Sequence, residues 1–417
     1  MYKVDLQTNR ENASKENCSI LDKVNDYTES VKTHEELGLN LLRKSASITA
    51  SNREVTVFER HSQKEIKTLM FGSNNYIGAI TNEYVIKKTI EATEKSGIGS
   101  GGVPILSGTT YYHDKLEKKL SKFGGFEDTI LFTSGFTANL RVILGLIRPN
   151  NLILQDRLNH ASLMDGGMLS GARMLRYKHN DPTSLEKLLK ENYEQYKGGI
   201  LVITDGVFSM NGDIARIPEI LDLVKKYDAL LLIDEAHATG VIGNKGAGTL
   251  DYHNIKDRSN IILSGTLSKT LGSVGGYISA SQNIIDYLRF FASSNLYSTS
   301  LPPSICASAM ACLEYMQNSD VVERLNANAR YLREKLRSNG FNILDTITPI
   351  IPVIVGDEYK MCIMSKFLLD NGIYTSYIQP PAVPLKTCRI RINVMVSHTQ
   401  EDMDHLVEKQ IESCMIN

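Results

Sequence analysis

Between Thr129 and Ala280 the chain repeats one pattern: a short apolar run, a turn, then residues at helical spacing. Seven runs read as strands, namely Thr129–Thr133, Leu152–Gln155, Arg173–Tyr177, Gly199–Thr204, Ala229–Ile233, Asn260–Ser264 and Gly276–Ala280. Runs that are apolar throughout suit strands covered on both faces, and helical stretches such as Ser184–Tyr196 and Ile217–Tyr227 supply the cover. The pattern implies an α/β domain in three layers, built on a mostly parallel seven-stranded sheet. Ligands of such sheets collect at the carboxyl ends of the strands, so the residues just after each run are the first candidates for chemistry.

Two of those ends stand out. The run Ala229–Ile233 delivers Asp234 to its end, with His237 three residues on. The run from Asn260 leads through Ser264-Gly265-Thr266 to Lys269 and then a glycine-rich segment. Taken alone, Lys269 reads equally as a surface lysine in a turn or as a desolvated amine placed to form a Schiff base. Pyridoxal phosphate needs a carboxylate at its pyridinium nitrogen and a lysine at its aldehyde carbon, and Asp234 and Lys269 are of those types. The segments Asp234-Glu-Ala-His237-Ala-Thr-Gly and Gly265-Thr-Leu-Ser-Lys269-Thr-Leu-Gly-Ser-Val-Gly-Gly276 resemble those of the α-oxoamine synthases. These are fold-type-I pyridoxal phosphate enzymes that condense an amino acid with an acyl thioester and release carbon dioxide. The resemblance spans roughly residues 45–410.

Further motifs extend it. Ser134-Gly135-Phe136 opens a helix after the first strand, where backbone N–H groups suit a phosphate. The resemblance gives Gly135 and Phe136 that duty, with Thr266 as a further phosphate ligand. Asn159-His160-Ala161-Ser162 implies that His160 stacks on the pyridine ring. Phe208-Ser209-Met-Asn211-Gly-Asp213 implies that Ser209 lies near the cofactor's phenolic oxygen, with His237 bonded to the same atom, although Asn211 replaces the family's first Asp. Tyr297-Ser298-Thr299-Ser300-Leu-Pro-Pro303 implies that Ser298 and Thr299 reach the phosphate in a neighbouring subunit, and hence a homodimer with shared sites.

Arg391 alternates with apolar neighbours on a strand, and its guanidinium fork suits a carboxylate. The resemblance assigns it the amino-acid carboxylate; an ion pair with a protein carboxylate is the other reading. Arg389 is assigned to structure. Asn74, in Asn74-Asn75-Tyr76-Ile77-Gly78, matches the asparagine that assists at the substrate carboxylate, or else is a turn residue. In the glycine-rich run Gly97–Gly102, followed by Val103-Pro104-Ile105, the chain departs from the family's Thr-Arg-Asn. An apolar lining cannot pair a buried carboxylate. Val103 and Ile105 are therefore expected to face an uncharged, aliphatic acyl donor rather than a succinyl one. Ala382 stands where some pimeloyl-using relatives carry Thr.

The remaining expectations are coarser. Residues 1–50 form an N-terminal helical extension, 51–305 the large domain, and 306–417 a long linking helix from 305 to 338 with a smaller α/β domain. The six cysteines make no CxxC pair, and a formal net charge of −1 gives no footprint for nucleic acid. The N-terminal residues lack an apolar signal core, no run is long enough to span a membrane, and no HExxH or Walker A pattern occurs. A cytoplasmic, metal-independent enzyme of biosynthesis is expected. Its substrates are glycine, alanine or serine and an acyl group on coenzyme A or an acyl carrier protein. The alternatives are an aminotransferase or aldolase of the same fold, or a non-catalytic partner subunit.

Overall fold

The computed structural model describes residues 18–36, 45–60, 62–380, 382–384 and 386–416. The apolar positions between Leu37 and Leu42, expected to continue the N-terminal helical segment, lie outside the described residues; the helix Ile20–Glu36 lies within them. In chain order the strands are β1 (Ala46–Ser47), β2 (Glu54–Glu59), β3 (Lys64–Met70), β4 (Asp128–Phe132), β5 (Leu152–Asp156), β6 (Arg173–Tyr177) and β7 (Ile200–Asp205). They continue with β8 (Leu230–Asp234), β9 (Ile261–Thr266), β10 (Gly276–Ala280), β11 (Ile350–Ile354), β12 (Ile373–Tyr374), β13 (Ser376–Ile378) and β14 (Arg389–Asn393).

Residues 75–209 and 213–325 form a central compact unit. Its seven-stranded sheet has the order β4-β10-β9-β8-β7-β5-β6. Strands β5 to β9 pair in parallel, and β10 runs antiparallel to both its neighbours. Each strand lies within two residues of its sequence expectation. The shifts arise because polar residues such as Asp205 and Asp234 still take part in the ladder after the apolar run has ended. Ile130, Ile153, Leu201, Ile203, Leu232 and Ile262 pack with Val142, Ile143, Leu163, Ile285 and Leu288 in one buried cluster. Each such side chain contributes about 1.5–3 kcal/mol on burial. That packing makes a rigid floor from which the strand ends project.

Residues up to 74, the short stretch 210–212 and residues 326–417 form a terminal unit. It holds a sheet β1-β2-β3-β12 and an antiparallel sheet β11-β14-β13. Its core joins Phe71, Leu332, Ile351, Ile390, Ile392 and Leu406. The division between the units falls at 74/75 and 325/326, where the sequence placed boundaries near 50 and 305. Strand pairing accounts for this: β3 takes β12 as a parallel neighbour, which binds residues 54–70 to the C-terminal part of the chain.

Two other expectations are corrected. The single helix expected over 305–338 is two helices, Pro303–Gln317 and Val321–Ser338. Asn318 closes the first with its N–H on the Glu314 carbonyl, and the Ser319 hydroxyl turns back to the Tyr315 carbonyl. The single strand expected over 373–378 divides at Thr375 into β12 and β13, which join different sheets. Among the described residues, no helix is long and apolar enough to cross a membrane.

Candidate active site

The carboxyl edge of the central sheet carries a cavity of about 260 Å³. Asp234 ends β8 and Asp205 ends β7, and the two are ladder partners. Thr266 ends β9, and Lys269 follows it, partly exposed, in the glycine-rich turn. All four line the cavity. Ser134 at the cap, and Gly135, Phe136 and Asn139 in the first turns of the helix after β4, reach it, as do His160 from the turn after β5 and Ser209 and His237 from the turns after β7 and β8. The strand ends thus bring together Gly135, Phe136, His160, Ser209, Asp234, His237, Thr266 and Lys269.

Hydrogen bonds hold most of these groups in place. Asp234 Oδ1 accepts the Ala236 N–H at 2.9 Å, and Oδ2 accepts Asn139 Nδ2 at 2.6 Å. His160 Nδ1 lies 2.8 Å from the Ser162 hydroxyl, and its backbone N–H donates to Asp205 Oδ1 at 3.2 Å. Burial depresses the pKa of the His160 imidazole. Burial first, then the charge of Asp234, raises the Asp205 carboxyl well above the usual carboxylate range. His237 Nδ1 is 2.9 Å from the Tyr76 hydroxyl. Thr266 Oγ1 donates to the Gly275 carbonyl at 3.0 Å and lies 2.8 Å from the Ser268 hydroxyl.

Next to the cavity-lining loop, His179 bridges Asp156 at 3.0 Å and Asp213 at 2.9 Å. Burial alone would lower its pKa; the two aspartates outweigh burial and lift it to about 9. Its ring also meets Phe208 edge to face at 4.4 Å, which fixes the residue before Ser209. Behind Asp234, burial raises the Glu235 carboxyl to about 7 against hydrogen bonds from the Thr249 hydroxyl and N–H.

In the terminal unit, Arg391 is on β14, 7 % exposed. Its NH2 donates to Asn74 Oδ1 at 3.1 Å, and Asn393 Nδ2 donates to the same oxygen at 3.2 Å. Arg391 Nε is buried and has no hydrogen-bond partner among the described residues. The neighbouring Arg389 is committed to structure, bonding the Met210 carbonyl and Asn211 Oδ1. Asn211, which stands where the resembled motif has Asp, accepts from Arg389 through its side-chain oxygen.

Ser298 and Thr299 are not among the residues lining the 260 Å³ cavity. With Pro104 and Ile105 they line a separate cavity of about 150 Å³ in the central unit. Val103 precedes the π-turn Pro104–Gly108, and its carbonyl accepts the N–H groups of Leu106 and Gly108.

The donor set of the larger cavity fits pyridoxal phosphate. A Cβ built on Gly135 would lie 3.0 Å from Thr266 Cβ, so glycine lets the helix start approach that side chain without displacing it. Ser134 Oγ accepts the Thr137 N–H, and the Ser134 carbonyl accepts the Ala138 N–H, which leaves the N–H groups of Gly135 and Phe136 ahead of the first intrahelical bond.

Comparison with known proteins gives the family. Residues 66–409 match the family of class I and II aminotransferases. The 8-amino-7-oxononanoate synthase of Thermoanaerobacter pseudethanolicus is 42% identical over 360 residues, covering 84% of this chain and 90% of the relative. The serine palmitoyltransferase of Bacteriovorax stolpii is 39% identical over 343 residues, covering 82% and 81%. The solved serine palmitoyltransferase of Sphingomonas wittichii superposes with a TM-score of 0.89 at 29% identity, over 95% of this chain and 98% of that one. The chain is an α-oxoamine synthase. It is a pyridoxal-phosphate-dependent C-acyltransferase with a fold-type-I large domain.

In this α-oxoamine synthase the polar cavity residues Asn139 and Asp205 had no role in the sequence reading, nor did Ser162, which lies one hydrogen bond behind the lining. Each was visible as a polar residue placed directly after an apolar strand or early in the following helix. Their burial and their mutual contacts depend on the packing of four different turns.

Proposed function

We propose that this enzyme condenses glycine, alanine or serine with an uncharged, aliphatic acyl thioester on coenzyme A or an acyl carrier protein. The products are an α-amino ketone, carbon dioxide and the free thiol. When bound, pyridoxal phosphate supplies an aldehyde for the substrate amine and an electron-withdrawing ring for charge developing at Cα.

The chain's own groups divide the remaining work. Lys269 would hold the cofactor's aldehyde carbon and would serve as general base for the substrate Cα proton. Asp234 would accept the pyridine N–H, and His160 would face the ring. Ser209 and His237 hold the phenolic oxygen; Thr266 and the N–H groups of Gly135 and Phe136 hold the phosphate. Arg391, with Asn74, takes the amino-acid carboxylate; its unpartnered Nε is a donor that a carboxylate would satisfy. The reading includes a homodimer in which Ser298 and Thr299 serve the partner's cofactor, and a cytoplasmic location.

The acyl preference rests on one observation. The cavity that Ile105 lines contains one guanidinium, Arg289, and it is already bonded to Glu117 and Asp128 at 3.0 Å each. A donor ending in a carboxylate would have to compete with both. A second reading, formation of 8-amino-7-oxononanoate, is favoured by the names of similar curated relatives.

The test supplies the pyridoxal-phosphate-loaded protein with each amino acid, carboxyl-labelled, and with succinyl, pimeloyl, octanoyl or palmitoyl thioester. Thiol and labelled carbon dioxide released in equal amounts, fastest with a monocarboxylic chain, is the expected result. A preference for the pimeloyl donor would transfer the assignment to the second reading. Amino-group transfer to a keto acid with no thiol release would end both.

A further inference from the structure

Asp234 and His160 belong to different strand ends, yet one uninterrupted hydrogen-bond chain joins them. Asn139, 2 % exposed, donates from Nδ2 to Asp234 Oδ2 at 2.6 Å and to Ser162 Oγ at 2.9 Å. Ser162 has no solvent exposure, and its hydroxyl lies 2.8 Å from His160 Nδ1. The Ser162 backbone N–H also points at Nδ1, at 3.3 Å.

Donor counting orients the whole chain. An amide nitrogen has two hydrogens, and Asn139 places both, one on the carboxylate and one on the serine oxygen. The reversed amide would set its carbonyl oxygen against a carboxylate oxygen, acceptor to acceptor. Asn139 Oδ1, in the orientation found, is buried with no partner. The contacts to Asp234 and Ser162 are therefore what select the orientation. Ser162 Oγ, once it accepts from Asn139, has its own hydrogen to give, and His160 Nδ1 is the acceptor within reach. A proton on Nδ1 would face the Ser162 N–H, a donor that cannot accept it. The ring is thereby held neutral, with its hydrogen on Nε2.

We propose that Asn139 and Ser162 are positioning residues that couple the carboxylate of Asp234 to His160 and fix the imidazole in its Nε2–H tautomer. Neither touches the reacting atoms in this assignment; they act through Asp234 and His160. The functional meaning rests on the reading of this cavity as the cofactor pocket, whereas the coupling itself is a property of the protein with or without cofactor. Imidazoles that bind metals are oriented in the same way, where the partner of one ring nitrogen sets the state of the other.

Solid-state ¹⁵N spectra of sedimented, histidine-labelled full-length protein distinguish a bare from a protonated ring nitrogen. His160→Gln identifies the relevant pair among the nine histidines. The expected result is one bare nitrogen and one protonated nitrogen for His160, unchanged from pH 6 to 8, with or without pyridoxal phosphate. Ser162→Ala keeps the backbone N–H on Nδ1 but loses the hydroxyl, so the bare-nitrogen resonance should shift, while Ser162→Thr, which restores the hydroxyl, should return it to its parent position. Asn139→Ala should shift the same resonances, and the Asn139→Ala/Ser162→Ala double variant should add nothing beyond Ser162→Ala. Wild-type resonances in Ser162→Ala, or additive shifts in the double variant, would overturn the coupling. Failure of the protein to retain pyridoxal phosphate would instead strike the cofactor reading, and the spectra of the unloaded protein would still decide the coupling.

Discussion

Asp234 in the central unit and Arg391 in the terminal unit are both charged and almost fully buried, at 5 % and 7 % exposure, but their surroundings differ. Both oxygens of Asp234 already accept protein N–H groups, from Ala236 and from Asn139. Arg391 has the Asn74 oxygen on one nitrogen and nothing on Nε. A buried polar group left unpaired costs about 1–3 kcal/mol. The difference fits two kinds of occupant. A cofactor that stays in place favours a fully set cradle, whereas a substrate that enters and leaves is best met by a donor it alone completes.

The largest expected effect breaks the central side of this comparison. Lys269→Ala should lower turnover by about 10³-fold or more, with Arg391 and its neighbours intact, because the chain loses its anchor and its base together. Steady-state release of labelled carbon dioxide measures it, and activity near the parent level would remove Lys269 from the mechanism. Arg391→Ala should break the terminal side alone. The specificity constant for the amino acid should fall roughly 100-fold, in keeping with about 1.5–3 kcal/mol for a hydrogen bond to a charged group. Retention of pyridoxal phosphate should be unchanged. Arg391→Lys should recover little, since a lysine lacks the fork; full recovery would mean that charge alone suffices.

Two histidines sharpen the comparison through opposite pH limbs. The folded pKa of His179, about 9, exceeds its ordinary 6.5, so its stabilisation is complete below pH 6.5 and disappears as pH rises through 9. His179→Gln should therefore destabilise the protein by about 3 kcal/mol at pH 6, from a shift of that size at 1.36 kcal/mol per unit, with the deficit gone above pH 9. His398 in the terminal unit is the reverse case. Buried between the Met395 N–H and the Met70 carbonyl, its pKa is depressed to about 4. Its neutral form supports folding above pH 6.5, and stability is lost as pH falls below that value, by about 2 kcal/mol at pH 5. His398→Gln should flatten that acid limb. Thermal unfolding recorded from pH 5 to 9.5 checks both histidines, and limbs of the same sign would contradict the assignments.

The sequence itself determined a good deal. Short apolar runs set most of the central strands, because a strand covered on both faces can be little else; β6, Arg-Met-Leu-Arg-Tyr at the sheet edge, is partly exposed. Residue type and place after those runs singled out Asp234 and Lys269 as candidates, the family resemblance added His160 and Gly135, and the larger cavity brings the four together. Helical spacing failed at 318–320, where the polar Asn-Ser-Asp stretch ends one helix locally. The strand reading failed at Thr375, where Ile-Tyr-Thr-Ser-Tyr-Ile over 373–378 divides between two sheets. Only the tertiary structure decided which polar groups meet. Ser162 and Asn139 are 23 positions apart and Asn139 and Asp234 are 95 apart, so no local pattern could pair them. Their contacts follow from parallel strands that end at one sheet edge, which brings turns distant in sequence into hydrogen-bonding range. The Asn74–Arg391 pair has the same origin across 317 positions, through the long-range folding of the terminal unit. Strand identity is local because apolar burial acts residue by residue, whereas hydrogen-bond satisfaction is a property of the packed whole.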